Sequence, residues 1–237
     1  VYSGSVYGTT LTIVTGEFEG GNLIKSVDTT GGNYGILAIN NGSSALSITT
    51  TGTTTGTNKD GINAQNGYSY NGSVYGTSLT INAATTTGGR YGINADNNGT
   101  GALSITTTGT TTGGTGYDGI YAQNGFAGTS LTINAATTTG GENGIKARTL
   151  GSGDVTINAV TTTGGYTGIN AINYGTGALS ITTTGTTTGG DDGIFAKINN
   201  AGSTGDLTIN TAITSGENYG IVGINYGSGA LSITTTG

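Results

Sequence analysis

Hydrophobic and polar positions alternate within one short phrase that recurs along the whole chain. The phrase opens with a Leu-Ser/Thr-Ile triplet, continues as a run of threonines closed by glycine, and ends in Gly-Ile-x-Ala with an asparagine two residues further on. A recurrence of this length is typical of solenoids, in which each copy buries its apolar face against its neighbours. At intervals of 24–35 residues, the triplet starts at Leu11, Leu46, Leu79, Leu103, Leu131, Val155, Leu179, Leu207 and Leu231.

One copy of the phrase predicts three short strands. Leu103, Ile105 and Thr107 alternate with polar residues and therefore share one face of a strand. A second, β-branched run occupies residues 110–112 and ends in two glycines, and a third strand covers residues 119–122 before an Asn-Gly turn. Three strands and three turns close one coil.

The length of the coil indicates which solenoid this is. At about 3.3 Å per residue, 24 residues fill three sides and their corners, and the strict six-residue beat of the hexapeptide helix is not present. Parallel strands joined by crossovers are right-handed in nearly all proteins. We therefore expect an all-β fold, a right-handed parallel β-helix of roughly nine coils of about 24–28 residues with three strands per coil, as a single domain over residues 1–237.

Alignment on the Gly-Ile motif produces columns of like residues along the axis. An isoleucine column and, two residues on, an alanine column are expected to interdigitate in a narrow core. The next column is asparagine, interrupted by Thr149 and Ile198. Because asparagine amides can stack from coil to coil and bind turn backbone, this column predicts an internal hydrogen-bonded ladder. Its members are Asn40, Asn66, Asn97, Asn124, Asn173 and Asn225.

Composition narrows the chemistry. Cysteine, histidine, methionine, proline and tryptophan are absent, which removes disulfides, thiolate and imidazole catalysis and the usual zinc ligands. The net charge of -6 repels phosphate backbones and anionic lipids, and no stretch approaches the roughly 20 apolar residues of a membrane span. We expect no enzyme activity, no metal, no cofactor, no nucleic-acid partner and no membrane insertion.

Two groups of charged residues are candidate sites. Asp191 and Asp192 form an adjacent acidic pair, but other coils place unrelated residues there, which favours a solvated turn over a catalytic or calcium-binding role. Lys146 and Arg148 flank Ala147 on one strand. Such a pair can hold a sugar carboxylate, although a solubilising role is the favoured interpretation.

Insertions fall at the corners of the coil. The longest occupies residues 65–78, where Tyr68, Tyr70 and Tyr75 crowd together and form a candidate contact loop for protein or carbohydrate. Further tyrosines near one corner are interpreted as local packing over turn glycines: Tyr34, Tyr91, Tyr117, Tyr166 and Tyr219.

The repeat style resembles that of bacterial surface adhesins. Phrases such as GTGALSITTTGTTTGG, TSLTINAATTTGG and YGINA, together with the asparagine column and the absent cysteines, are similar to autotransporter passenger regions and filamentous-haemagglutinin-like proteins. The resemblance covers the whole chain. It implies a right-handed β-helix outside the cell, on the bacterial surface, with a second copy, or a protein or glycan of a host or neighbouring cell, as partner.

The leading hypothesis is an extracellular structural or adhesive protein, a β-helical stalk or filament subunit that self-associates through its end coils. The chain begins and ends inside copies of the repeat, so it is expected to be a piece of a longer repetitive chain. One alternative is ice binding through outward threonines, although Ser104 and Thr106 are followed by Thr132 and Asn134, which breaks the array. The other is a polysaccharide-active β-helix enzyme.

Overall fold

Every regular element that the structure describes is a β-strand. The computed structural model describes residues 6–7, 11–15, 22–70 and 73–236, and these ranges contain no helix that could cross a membrane. The strands are β1 Val6–Tyr7, β2 Leu11–Thr15, β3 Asn22–Ser26, β4 Thr29–Gly31, β5 Ile36–Asn40, β6 Leu46–Thr50, β7 Thr53–Gly56, β8 Ile62–Asn66, β9 Ser69–Tyr70, β10 Ser73–Val74, β11 Leu79–Ala83, β12 Thr85–Gly88, β13 Ile93–Asn97, β14 Leu103–Thr112, β15 Ile120–Asn124, β16 Leu131–Gly140, β17 Asn143–Thr149, β18 Val155–Gly164, β19 Thr167–Asn173, β20 Leu179–Gly189, β21 Asp192–Ile198, β22 Leu207–Ser215, β23 Tyr219–Asn225 and β24 Leu231–Thr235.

Two large parallel sheets run along the axis of the molecule. One has 13 strands and collects the Leu-Ser-Ile and threonine segments, and the other has nine strands and collects the Gly-Ile segments. The nine stacked strands delimit about eight turns of a β-solenoid, which confirms the predicted all-β parallel fold. The right-handed sense stays a prediction.

Each coil has three walls, here called the Leu-Ser-Ile wall, the threonine wall and the Gly-Ile wall. In the early coils the first two are separate strands, as in β6 and β7, but in later coils they form one bent strand, as in β14. The register between β14 and β16 shifts after Thr107, at the bend. A bulge of this kind adds a residue to one strand and so turns the corner without breaking the sheet.

A continuous apolar core fills the interior. Inward leucine, isoleucine and alanine side chains of successive coils stack in register, and most are completely buried. Burial of each large aliphatic side chain contributes about 1.5–3 kcal/mol. The predicted isoleucine column is confirmed for the buried members Ile36, Ile62, Ile93, Ile120, Ile145, Ile169 and Ile194, and Ile221 packs against them while partly exposed.

The first copy of the repeat is aligned differently from the prediction. Leu11 lies in register with Ile36, so β2 belongs to the Gly-Ile wall. The strand beside Leu46–Thr50 is Asn22–Ser26, with Ile24 buried opposite Ile48. The assignment of Leu11 to the Leu-Ser-Ile wall is therefore wrong. An alternating apolar run fits either wall, and the 24-residue interval from Asn22 to Leu46 decides between them.

The glycine of each Gly-Ile motif is required by space. A Cβ at Gly119 would lie 2.6 Å from the γ-methyl carbon of buried Thr138 and 2.7 Å from the carbonyl oxygen of Gly144. A column of threonine methyls thus interlocks with a column of glycines where the threonine wall meets the Gly-Ile wall. The same pairing joins Gly35 to Thr54, Gly61 to Thr86, Gly92 to Thr111, Gly144 to Thr162, Gly168 to Thr187 and Gly193 to Thr214.

Gly119→Ala should lower the free energy of unfolding by about 1–3 kcal/mol, because the added methyl overpacks a buried contact. Gly202→Ala is the matched control, since the nearest atom to its added Cβ is the Asn200 side-chain oxygen at 3.3 Å. The control should stay within about 0.5 kcal/mol of the parent. Urea unfolding followed by far-ultraviolet circular dichroism measures both, and equal unfolding curves for the two variants would contradict the interlock.

Candidate functional site

Four of the six predicted asparagines form a hydrogen-bonded ladder. Asn40 Nδ2 donates to Asn66 Oδ1 at 2.7 Å, Asn66 Nδ2 donates to Asn97 Oδ1 at 2.8 Å, and Asn97 Nδ2 donates to Asn124 Oδ1 at 2.9 Å. All four side chains are completely buried. The ladder therefore links four consecutive coils through their interior, at the end of the Gly-Ile wall.

Each asparagine also holds its own turn. Asn97 Nδ2 donates to the Gly101 carbonyl at 3.1 Å, and the Gly99 amide donates to Asn97 Oδ1 at 3.3 Å. Asn173 and Asn225 bind their turns in the same way. Thr149 and Ile198 occupy the neighbouring layers, so these two asparagines have turn partners but no amide of a neighbouring coil.

The candidate contact loop is an antiparallel hairpin formed by β9 and β10. Gly67 and Gly76 lie at its base with φ of 76° and 80°, a backbone conformation that favours glycine. The rings of Tyr68 and Tyr75 stack with centroids 4.7 Å apart and planes 9° apart. One face of each ring therefore packs against the other tyrosine. The side chain of Tyr70 lies outside the described residues.

Two of the five corner tyrosines pack around Arg90. The guanidinium lies 5.4 Å from the ring centroid of Tyr91 and 5.3 Å from that of Tyr117, whose rings meet edge to face. Arg90 Nε also lies 3.6 Å from a carboxylate oxygen of buried Asp60. These contacts join three layers at the corner that precedes the Gly-Ile wall.

Buried carboxyl groups at this corner accept hydrogen bonds from backbone amides of the next coil. Asp118 Oδ1 accepts hydrogen bonds from the Asn143 amide at 3.0 Å and from Asn143 Nδ2 at 2.7 Å. Burial raises the pKa of the Asp118 carboxyl, and the bonds from Asn143 act in the opposite direction. This carboxyl fixes one coil to the next.

The acidic pair sits in the same corner, two layers before the last described coil. Asp191 accepts a hydrogen bond from Asn218 Nδ2, and its hydrogen bond with the Tyr166 hydroxyl raises the pKa of that hydroxyl. Burial and then the charge of Asp191 raise the pKa of Asp192. No group of three or more acidic, histidine or cysteine residues within the described ranges is arranged to hold a metal ion.

Lys146 and Arg148 have different partners. Lys146 Nζ lies 3.5 Å from Glu142 Oε1, four residues earlier. The Arg148 guanidinium instead lies over the ring of Tyr174 in the next coil, 5.2 Å from its centroid. The two neighbours in sequence are thus separate features of the outer surface of the Gly-Ile wall.

A regular array of threonines covers the outside of the threonine wall. In the six coils of β7, β12, β14, β16, β18 and β20, the middle threonine of the wall points inward, and the threonines on either side of it face outward. We call this surface the threonine face. One of its columns is Thr53, Thr85, Thr110, Thr137, Thr161 and Thr186, and the other is Thr30, Thr55, Thr87, Thr112, Thr139, Thr163 and Thr188.

The threonine face was not found from the sequence. The predicted outward array was the Leu-Ser-Ile wall, where asparagines do interrupt, and there Asn158 Nδ2 donates to Asn134 Oδ1 at 2.9 Å. Three consecutive threonines carry no apolar alternation, so the pattern does not say which of them point outward. The glycine that closes each triplet was the available signal, because it shares the inward face with the middle threonine.

The fold and these sites define a parallel β-solenoid with a continuous apolar core and repetitive outer surfaces. No family model, no curated protein and no solved structure matches the chain.

Asn97→Ala should lower the free energy of unfolding by about 2–4 kcal/mol, because it leaves buried amide and turn groups without partners. Asn173→Ala is the matched control, since it removes turn bonds of the same kind but no ladder bond. We expect the control to cost at least about 1 kcal/mol less. Urea unfolding of both variants measures the difference, and equal losses would show that the amide ladder adds no stability beyond its turns.

Proposed function

We propose that this protein is an extracellular structural rod of the adhesin type, a stalk or filament subunit. The observation that carries the proposal is unbroken axial register. From β3 to β24, each wall pairs with the same wall of the next coil, and like residues meet in successive layers. Such stacking produces an elongated body in which each coil contacts only its neighbours.

Interactions between coils inside the rod make it stiff, and exposed side chains and loops offer contact surface outside it. Coils spaced about 4.8 Å apart give about eight turns a length of about 40 Å. Backbone bonds, the core and the amide ladder all run between layers. The hairpin at residues 67–76 and the ring of Phe126, 82% exposed, supply contact surface away from the walls.

An extracellular bacterial location is supported by the resemblance to autotransporter passengers and by the composition. A chain without cysteine forms no disulfide and exposes no thiol to an oxidising medium. The mixed, weakly charged outer surface suits contact with a protein or glycan of another cell. The partner is therefore proposed to be either a second copy or a molecule on a cell surface.

Self-association is proposed to use the last described coil. Leu231 is 49% exposed and Ile233 is 44% exposed, whereas Leu207 and Ile209 directly beneath them are completely buried. β24 pairs on one side only, with β22. A further coil stacked on β24, from the same polypeptide or from a second copy, would bury these side chains and pair this strand.

The rod should assemble end to end as its concentration rises. Ile233→Lys places a charge on the inward side of the last coil and should abolish assembly, while Ser232→Lys adds the same charge to the outward side of the same strand and should not. Sedimentation velocity and negative-stain electron microscopy measure rod length. If the Ile233→Lys protein assembles at the same concentrations as the parent, this end-coil contact is ruled out.

Ice binding is the second candidate, and the threonine face is the observation that favours it. Two columns stand about 7 Å apart along the strand, and their members repeat about every 4.8 Å along the axis. One column holds six and the other seven consecutive threonines. These two repeats approximate spacings between oxygen atoms on ice surfaces.

If the threonine face binds ice, the protein should show thermal hysteresis that falls at least severalfold in Thr139→Tyr. The bulky ring stands in the middle of the array and holds the surface away from ice. Thr132→Tyr makes the same change on the Leu-Ser-Ile wall and should leave the hysteresis unchanged. Nanolitre osmometry measures both, and a parent protein without hysteresis at high concentration excludes this candidate.

A further inference from the structure

The pairing of a cation with a tyrosine ring occurs twice at equivalent places on the Gly-Ile wall. Arg148 lies 5.2 Å from the ring centroid of Tyr174, and Lys197 lies 4.7 Å from that of Tyr226. In each pair the cation faces outward from one coil, and the tyrosine follows the asparagine that ends the wall in the next coil. We call the two pairs together the cation–tyrosine row.

The cations of this row have no acidic partner, unlike others on the same side of the molecule. Arg90 lies beside Asp60 and Lys146 beside Glu142. No carboxylate in the described part of the chain lies within 4 Å of Arg148 or Lys197. The side chains of Arg148 and Lys197 are both partly exposed on the outer surface of the Gly-Ile wall. Two positive groups are therefore available to an external anion.

The spacing of the row limits what that anion can be. Arg148 is in register with Ile172, and Ile172 with Lys197, so the two cations are two coils apart, about 10 Å along the axis. A linear polysaccharide in extended form advances by roughly one coil spacing per sugar. Acidic groups on every second sugar therefore meet both cations of the row.

Other polyanions fit the row less well. Acidic side chains on one face of an extended peptide repeat about every 7 Å, which does not match the separation of two coils. The net charge of -6 also opposes long-range attraction of a densely charged nucleic acid.

The rings supply the second half of sugar recognition. A cation lies over one face of each tyrosine ring, and Tyr174, which has coils on both sides of it, is partly exposed. The apolar face of a pyranose stacks on an exposed aromatic ring, while its carboxylate meets the neighbouring cation. Ile172 adds an apolar contact between the two pairs.

We propose that the cation–tyrosine row binds a linear acidic polysaccharide with one carboxylate on every second sugar, laid along the axis of the rod. The proposal rests on the adhesive function proposed above and names the chemistry of its partner. It assigns anion binding to Arg148 and Lys197 and sugar stacking to Tyr174 and Tyr226.

Isothermal titration calorimetry of the full chain with hyaluronan oligosaccharides, at low salt, tests the row. The carboxyl-reduced form of the same oligosaccharide is the matched ligand control and should not bind. Arg148→Gln and Lys197→Gln should each weaken binding at least about threefold, and the double variant at least about tenfold. Lys25→Gln, which removes an exposed cation from the Leu-Ser-Ile wall, should leave affinity unchanged.

Several results would overturn the proposal: no binding of hyaluronan by the parent, equal binding of the carboxyl-reduced form, an equal loss in Lys25→Gln, or tighter binding of poly-glutamate, which would indicate a protein partner. Electron microscopy of the same samples reports rod formation independently. If rods assemble but do not bind hyaluronan, the cation–tyrosine row is rejected and the structural function stands. If the protein binds hyaluronan but its rods do not lengthen, only end-coil assembly is rejected.

Discussion

In-register stacking of parallel coils is the constraint on which the rest of this molecule depends. Because most residues of the described walls lie beside their equivalents in the next coil, a residue type that suits one layer must also suit its own copy about 4.8 Å away. Aliphatic columns satisfy this by close packing, and the asparagines Asn40 to Asn124 satisfy it by donating to one another. Like charges repel when they are stacked in adjacent coils. In the cation–tyrosine row, Ile172 lies between Arg148 and Lys197 and keeps the two cations two coils apart.

The same constraint explains why polar residues are tolerated inside. The middle threonines of the threonine wall are completely buried, and their hydroxyls have no partner within the protein, as at Thr111 and Thr138. Such a group costs about 1–3 kcal/mol when buried. The γ-methyl of each of these threonines fills the space beside a glycine of the Gly-Ile wall. Close packing is therefore kept although the hydroxyl makes no hydrogen bond. Stability per coil is therefore modest and depends on repetition.

The sequence predicts the columns of like residues well, but it predicts less well which wall a segment belongs to and which of its side chains point outward. The Ile and Ala columns follow from strict alternation, and the asparagine column follows from its fixed distance to them. Leu11 was assigned to the wrong wall because an apolar alternation fits both. The threonine face has no alternation to detect, and the contacts of Arg148 with Tyr174 and Gly119 with Thr138 join residues of different walls or coils, whose proximity appears only once the coil is closed.

The amide ladder has a consequence for how the rod would behave under tension. It ends at Asn124, because Thr149 occupies the next layer. Asn173 binds only its own turn, and Asn225 adds one bond of 3.3 Å to the Gly205 carbonyl in the turn of the preceding coil. If a pull along the axis loads every junction between coils equally, the junctions without the buried ladder should give way first. The half of the rod that contains the cation–tyrosine row would unravel as an extensible tether while the ladder-bearing half stayed folded.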